Sequence, residues 1–224
     1  MKPTFLFSIA LLILMGCEID NYEAPDLTIT GQIVDAETKE LVESGGINSG
    51  TILKFYEGNS QQPLLYQTYP EGTFTNSKVF AGVYTIEAEG PFTAPQGRME
   101  NIAINGNQEI TVEVIPNVRL SITLEETSNS TAKAHLTFEK VVPNQELLDL
   151  GVVWAEYKNP NVYSFSGGSI IQEDMRALSL SEGEREFILE NLKPNTTYYV
   201  RGTARTVNPG NYYNYSTQYV FKTP

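Results

Sequence analysis

Residues 27–42 read LTITGQIVDAETKELV, and the reading of this run decides the fold. Leu27, Ile29 and Ile33 fall on one face of a two-residue period, the pattern of a strand with one side buried. Asp35 to Lys39 then reads as a turn. Outward from this run the same grammar repeats. Thr51 to Tyr56 and Leu64 to Tyr69 are the next strands. In PEGTFTNSKVFAGVYTIEAEG, residues 70–90, Gly72 and Gly82 each precede an aromatic, Phe74 and Tyr84, by two places. Glycine permits the turn, and the aromatic starts a strand with its ring in the core. IAINGNQEITVEV, residues 102–114, predicts a hairpin turning at Asn105-Gly106, with Ile102, Ile104, Ile110, Val112 and Val114 inward.

No segment beyond residue 26 carries a helical period. Short runs of Val, Ile, Thr, Tyr and Phe between Gly, Pro, Asn and Asp indicate an all-β chain of sandwich or barrel type. A chain of 224 residues suits two domains, and Ile115-Pro116-Asn117 is the natural break. The predicted units are residues 27–115 and 116–224. In the second, Ala132, Ala134, Leu136 and Phe138 mark one strand. LGVVWAEY, residues 150–157, marks another, whose alternation leaves open whether Val153 or Trp154 points inward. Tyr198, Val200, Gly202 and Ala204 form one face of a later strand, and Tyr219 and Phe221 belong to the last. Spacing is irregular between Lys158 and Glu184, where Gln172 to Leu180 could form a helical turn.

The chain opens Met1-Lys2, followed by an apolar run from Phe5 to Met15 broken only by Ser8. This has the form of a secretory signal and is shorter than the roughly 20 residues that span a bilayer. It ends Leu14-Met15-Gly16-Cys17, which resembles a bacterial lipobox. The only cysteine of the sequence stands at the expected cut. The reading is a signal peptide over residues 1–16, a lipidated Cys17 and an acidic linker over 17–26. The alternative for that linker is a first edge strand. A diacylated thiol makes no disulfide, so packing alone must hold the fold.

The formal charge is −12, from 15 basic and 27 acidic residues. Nucleic acid is disfavoured as a partner, because its phosphates call for clustered Lys and Arg. The only histidine, His135, alternates with Ala134, Leu136 and Phe138 and is expected at the surface. No second histidine can complete a zinc site, and no Asp-x-Asp-x-Asp-Gly calcium loop occurs. No metal, cofactor or catalytic residue is assigned. The acidic pairs, among them Glu173-Asp174 and Glu184 with Glu186, read as turn or solvated-face residues.

Contact functions remain. NPGNYYNYSTQY, residues 208–219, presents Tyr212, Tyr213 and Tyr215 among Asn and Gly. NPNVYSFSGGS, residues 159–169, presents Tyr163 and Phe165 and is expected nearer the opposite end of the sandwich. Tyrosine offers a flat ring with a hydroxyl handle, the composition that binding loops favour. These five residues are the candidate binding surface; the competing reading is simple packing over a sheet.

Three segments of the first unit, TGQIVDAET, GTF and AGVYTI, resemble the carboxypeptidase-regulatory type of prealbumin-like β-sandwich. That module has no catalysis of its own. In the second unit, Leu192-Lys-Pro-Asn-Thr-Thr-Tyr198 resembles the tyrosine corner of a fibronectin type III or Ig-like domain. There the hydroxyl bonds backbone a few residues upstream. Together with the lipobox and the AGVY and EGPF segments, the order is similar to a domain-of-unknown-function family of Bacteroidota lipoproteins. The resemblance implies two tandem β-sandwich domains beside outer-membrane transporters and glycan-binding lipoproteins. The expected function is a non-enzymatic accessory of glycan or nutrient uptake. It is expected to be lipid-anchored in the outer membrane, at the cell surface or on the periplasmic face. Its partner would be a glycan or an outer-membrane transporter complex. A structural spacer or adhesin component, and an unrecognised glycan hydrolase, are the alternatives.

Cys17→Ser is expected to leave an unlipidated precursor or a soluble product. Acyl labelling with membrane fractionation checks this, and unchanged retention would contradict the anchor.

Overall fold

A computed structural model describes residues 23–126 and 128–224, and within these residues all regular structure is strand. Cys17 and most of the proposed linker lie outside the described residues. Residues 23–26 have no regular structure, and the first strand begins at Leu27.

The first unit holds β1 (Leu27–Asp35), β2 (Ile52–Glu57), β3 (Leu64–Gln67), β4 (Thr73–Val79), β5 (Gly82–Glu89), β6 (Phe92–Thr93), β7 (Met99–Ile104) and β8 (Gln108–Pro116). One sheet has the order β4-β1-β8-β6, the other β3-β2-β5-β7. The inward residues of both close a core of Ile29, Ile33, Leu53, Phe55, Phe74, Tyr84, Ile86 and their neighbours. Phe74 and Tyr84 are almost fully buried, as the glycine-to-aromatic spacing predicts. Gly72 has φ +79°, and a Cβ there would stand 2.4 Å from the Val42 carbonyl, so glycine is required on both counts.

The predicted hairpin at Asn105-Gly106 does not form. β7 pairs with β5, whereas β8 runs parallel to β1 in the facing sheet. Asn105 to Asn107 is a corner between sheets, and the Asn107 side chain accepts the Thr28 N–H at 2.8 Å to hold it there. The inward residues stay inward because both strands face the same core from opposite sides. A short turn signal cannot tell these arrangements apart.

The second unit holds β9 (Val118–Glu126), β10 (Ala132–Lys140), β11 (Leu147–Ala155), β12 (Ser169–Asp174), β13 (Glu182–Leu189), β14 (Thr197–Thr206), β15 (Tyr213–Tyr215) and β16 (Tyr219–Lys222). Its sheets are β13-β10-β9 and β12-β11-β14, with β15 and β16 both on the free edge of β14. The Tyr198 hydroxyl accepts the Lys193 N–H at 2.9 Å, the tyrosine-corner bond, and its ring stacks 5.8 Å from Phe221. Val152 and Trp154 enter the core between the sheets. Val153 on the opposite face is buried too, so β11 is covered on both sides. Gln172 to Leu180 does not form a helical turn throughout: Gln172 to Asp174 belong to β12, paired along β11, and Met175 to Leu178 make a single turn in which the Leu178 N–H donates to the Met175 carbonyl at 3.0 Å.

Two core clusters lie on either side of Asn117, and a polar seam joins them. Asn117 itself is 2% exposed. Its N–H donates to the Pro91 carbonyl at 2.9 Å, its carbonyl accepts the Val141 N–H at 2.9 Å, and its amide donates to Thr206 Oγ1 at 2.9 Å. Asn214 adds a bond to the same Pro91 carbonyl at 3.1 Å. The connection is therefore pinned to both units.

Charge completes the seam. The acidic first unit supplies Asp35, Glu37 and Glu43; the second supplies Arg119 and Arg201. Arg119 Nε bonds Asp35 Oδ2 at 2.6 Å, and its Nη2 reaches Glu37. Arg201, on β14, is fully buried, with its guanidinium 4.3 Å from the Tyr215 ring centroid and 3.1 Å from Glu43 Oε2. Burial pushes the Glu43 carboxyl up against the pull of Arg201, and pushes Arg201 down. This is the cost of desolvating an ion pair.

Two outcomes follow from the seam. Arg201→Ala leaves Glu43 covered without its partner and is expected to cost about 3–5 kcal/mol. Urea unfolding reads this, and Arg201→Met with Glu43→Gln should recover much of the loss. Asp35 is held below its usual value, because the Arg119 bond and backbone N–H groups outweigh burial. Its contribution is present above the unfolded carboxyl value and is lost as pH falls through the folded one. Asp35→Asn should lower Tm at neutral pH and match the parent in acid.

Candidate functional site

The outer face of the β12-β11-β14-β15 sheet carries the candidate site. On β14 the inward residues Tyr198, Val200 and Ala204 alternate with outward Arg201, Thr203 and Arg205. The pairing register then places Asp174, Asp149, Arg205 and Tyr213 in one row across four strands. At a strand spacing of about 4.8 Å such a row is roughly 15 Å long. A register irregularity between Leu147 and Asp149 lies at this point of β11. Such a bulge re-aims a side chain, and here Asp149 meets Arg205.

The row borders a cleft of about 290 Å³ lined by Asp149, Gln172, Asp174, Arg176, Arg205 and Tyr213, among others. Arg205 Nε donates to Asp149 Oδ2 at 2.9 Å, and the guanidinium lies 5.4 Å from the Tyr213 ring centroid. Gln172 Nε2 donates to Asp149 Oδ1 and to the Tyr213 hydroxyl, each at 3.3 Å. Arg176 Nε clasps Asp174 at 3.0 Å. Burial pushes the Asp149 carboxyl up despite Arg205. The clasp of Arg176 holds Asp174 at about 2.

Of the five residues singled out from the sequence, the structure brings three together. Tyr163 meets Tyr213 edge-on, with centroids 6.5 Å apart and planes at 90°, and Tyr213 in turn lies 6.5 Å from Tyr215. The Tyr215 hydroxyl accepts the Val162 N–H at 3.3 Å. Residues 159–169 therefore fold back over the sheet instead of lying towards its far end. Asn161 fixes them further by donating to the Gly45 carbonyl of the first unit at 3.0 Å.

Exposure separates the five. Tyr163 is 68% exposed and presents an open ring. Tyr213 and Tyr215 are 9% and 6% exposed, each covered by an arginine, so neither has a free face. Tyr212 donates its hydroxyl to Glu89 of the first unit at 2.7 Å. Burial and that carboxylate push its own value up to about 12. Phe165 is half-buried. Tyr212 and Tyr215 lie in the seam, Tyr212 against Glu89 and Tyr215 against Arg201.

Sequence reasoning missed Asp149, Gln172 and Arg205. The two arginines on the outward stride of β14 were a usable signal. Asp149 was hidden by the bulge. His135 sits on the outer face of β10 with Nδ1 3.1 Å from Glu184 and 3.6 Å from Glu186. Among the described residues no group of three or more His, Cys, Asp and Glu is placed to hold a metal ion.

These features define a class: tandem β-sandwiches joined by a hydrogen-bonded and ion-paired seam, with a polar cleft on the outer sheet of the second. Residues 27–115 match the model of the N-terminal domain of the protein of unknown function family DUF3823. Its likeness to solved structures runs through both units. A DUF3823 family protein from Bacteroides uniformis is 20% identical with a TM-score of 0.74, over 89% of this chain and 100% of that one. A second B. uniformis protein, provisionally named a carbohydrate binding protein, is 21% identical with a TM-score of 0.73, over 88% and 99%. A DUF3823 family protein from Parabacteroides merdae is 16% identical with a TM-score of 0.71, over 90% and 100%. At these identities the likeness shows the fold. No curated protein matches the chain.

Proposed function

We propose that the protein is a non-catalytic carbohydrate-binding accessory of a glycan-uptake system, lipid-anchored at the outer membrane, and that the cleft beside Tyr163 receives the sugar. The observation that carries this is one juxtaposition. An open Tyr163 ring stands against Tyr213, beside a row of Asp, Arg and Gln side chains. A sugar has an apolar face that stacks on an aromatic ring and hydroxyls that bond to planar polar groups. The name of the B. uniformis relative supports the same reading. Binding is preferred to turnover because Asp149 and Asp174, the carboxylates of the row, are each held by a guanidinium. Neither is free to act as a general acid or base.

A rigid spacer is the second reading, favoured by the pinned Asn117 and by Tyr212 and Tyr215 lying in the seam. A glycan array on the purified protein, followed by calorimetry, separates the two. Tyr163→Ala is expected to weaken sugar binding about tenfold with unchanged Tm, as stacking contributes roughly 1–1.5 kcal/mol. An array on which the parent captures nothing leaves the spacer. Turnover of a bound glycan, abolished by changing one carboxylate, would make the protein a hydrolase.

A further inference from the structure

Resting on that reading, we propose that the cleft selects neutral over acidic sugars, and that Asp149 is the specificity-determining residue. The outward carboxylates of the cleft are Asp149 and Asp174, and its guanidiniums are Arg176 and Arg205. Both guanidiniums are engaged. Arg205 holds Asp149 Oδ2 through Nε at 2.9 Å and through Nη2 at 2.8 Å. Arg176 holds Asp174 at 3.0 Å through Nε and again through Nη2. Glu173 faces Arg185 at 3.4 Å. A uronate or sulfate entering here meets no unpaired cation, because Asp149 and Asp174 already fill the two guanidiniums. The formal charge of −12 adds a long-range field of the same sign.

A neutral sugar meets the opposite case. Asp149 Oδ1 receives only the 3.3 Å bond from Gln172, which leaves an ionised acceptor facing the cleft. Carboxylate acceptors bind hydroxyl donors more strongly than neutral ones do. Asp149 is also well supported: a buried strand position, the Arg205 pair and Gln172 fix its orientation. It therefore both attracts hydroxyls and occupies the Arg205 guanidinium, one of the two an acidic sugar could use.

Removing the charge should reverse the preference. Asp149→Asn keeps the shape, weakens the hydroxyl acceptor and frees Arg205. The test is calorimetry of the full chain with cellohexaose, mannohexaose and xylohexaose against hexagalacturonate. The expected result is binding of at least one neutral probe by the parent with no heat from hexagalacturonate. In Asp149→Asn, neutral binding should fall about tenfold and hexagalacturonate binding should appear. A merely structural Asp149 would lose the first without gaining the second. Asp174→Asn, at an exposed position that folding tolerates, frees Arg176 and should give the same gain in weaker form. Hexagalacturonate bound by the parent as tightly as the neutral probes overturns the selectivity and leaves the carbohydrate reading standing. No heat from any of the four probes, with none captured on the array, overturns both.

Discussion

The arrangement of the whole molecule depends on one buried cation. Arg201 has no solvent exposure, lies over the Tyr215 ring and reaches across to Glu43. A guanidinium taken out of water needs both a counter-charge and a surface to lie against. Here the counter-charge comes from one domain and the aromatic surface from the other. Neither domain alone supplies both, so Arg201 depends on the docked pair.

The same strand carries the site. Arg201 and Arg205 share the outward stride of β14, one under the first domain and one at the open end. Tyr215 and Tyr213 follow the same division on β15. Each arginine lies against a tyrosine and a carboxylate: Arg201 with Tyr215 and Glu43, Arg205 with Tyr213 and Asp149. A repeated local motif is thus closed by a neighbouring domain at one end and left open at the other. The pinned Asn117 keeps the two ends distinct, because it fixes which part of the face the first domain covers.

The fold was legible wherever a local pattern and its tertiary setting agreed. Alternation around Ile29 and Ile33 gave β1, and Tyr198 gave the corner bond to Lys193. Legibility failed where one local signal serves two topologies. Asn105-Gly106 turns a chain equally well within a sheet or between sheets, and only the parallel partner β1 decides. The site was half legible. Composition pointed to the tyrosines, but exposure depends on what lies above them. Glu43, 158 positions away from Arg201, settles that, and so does Asn161 holding the Tyr163 segment in place. No window of sequence contains both sides of such a contact.

The parallel pairing of β1 with β8 has a mechanical consequence. The chain enters the first domain at the start of β1 and leaves it at the end of β8, at opposite ends of one ladder of seven partners from Ile29↔Gln108 to Asp35↔Val114. Tension between the entry at Asp26 and the exit at Asn117 pulls these two strands lengthwise in opposite directions. The ladder is then loaded in shear, with all its bonds sharing the force, instead of unzipping from one end. A body pulled through its leading strand resists extension best in this geometry.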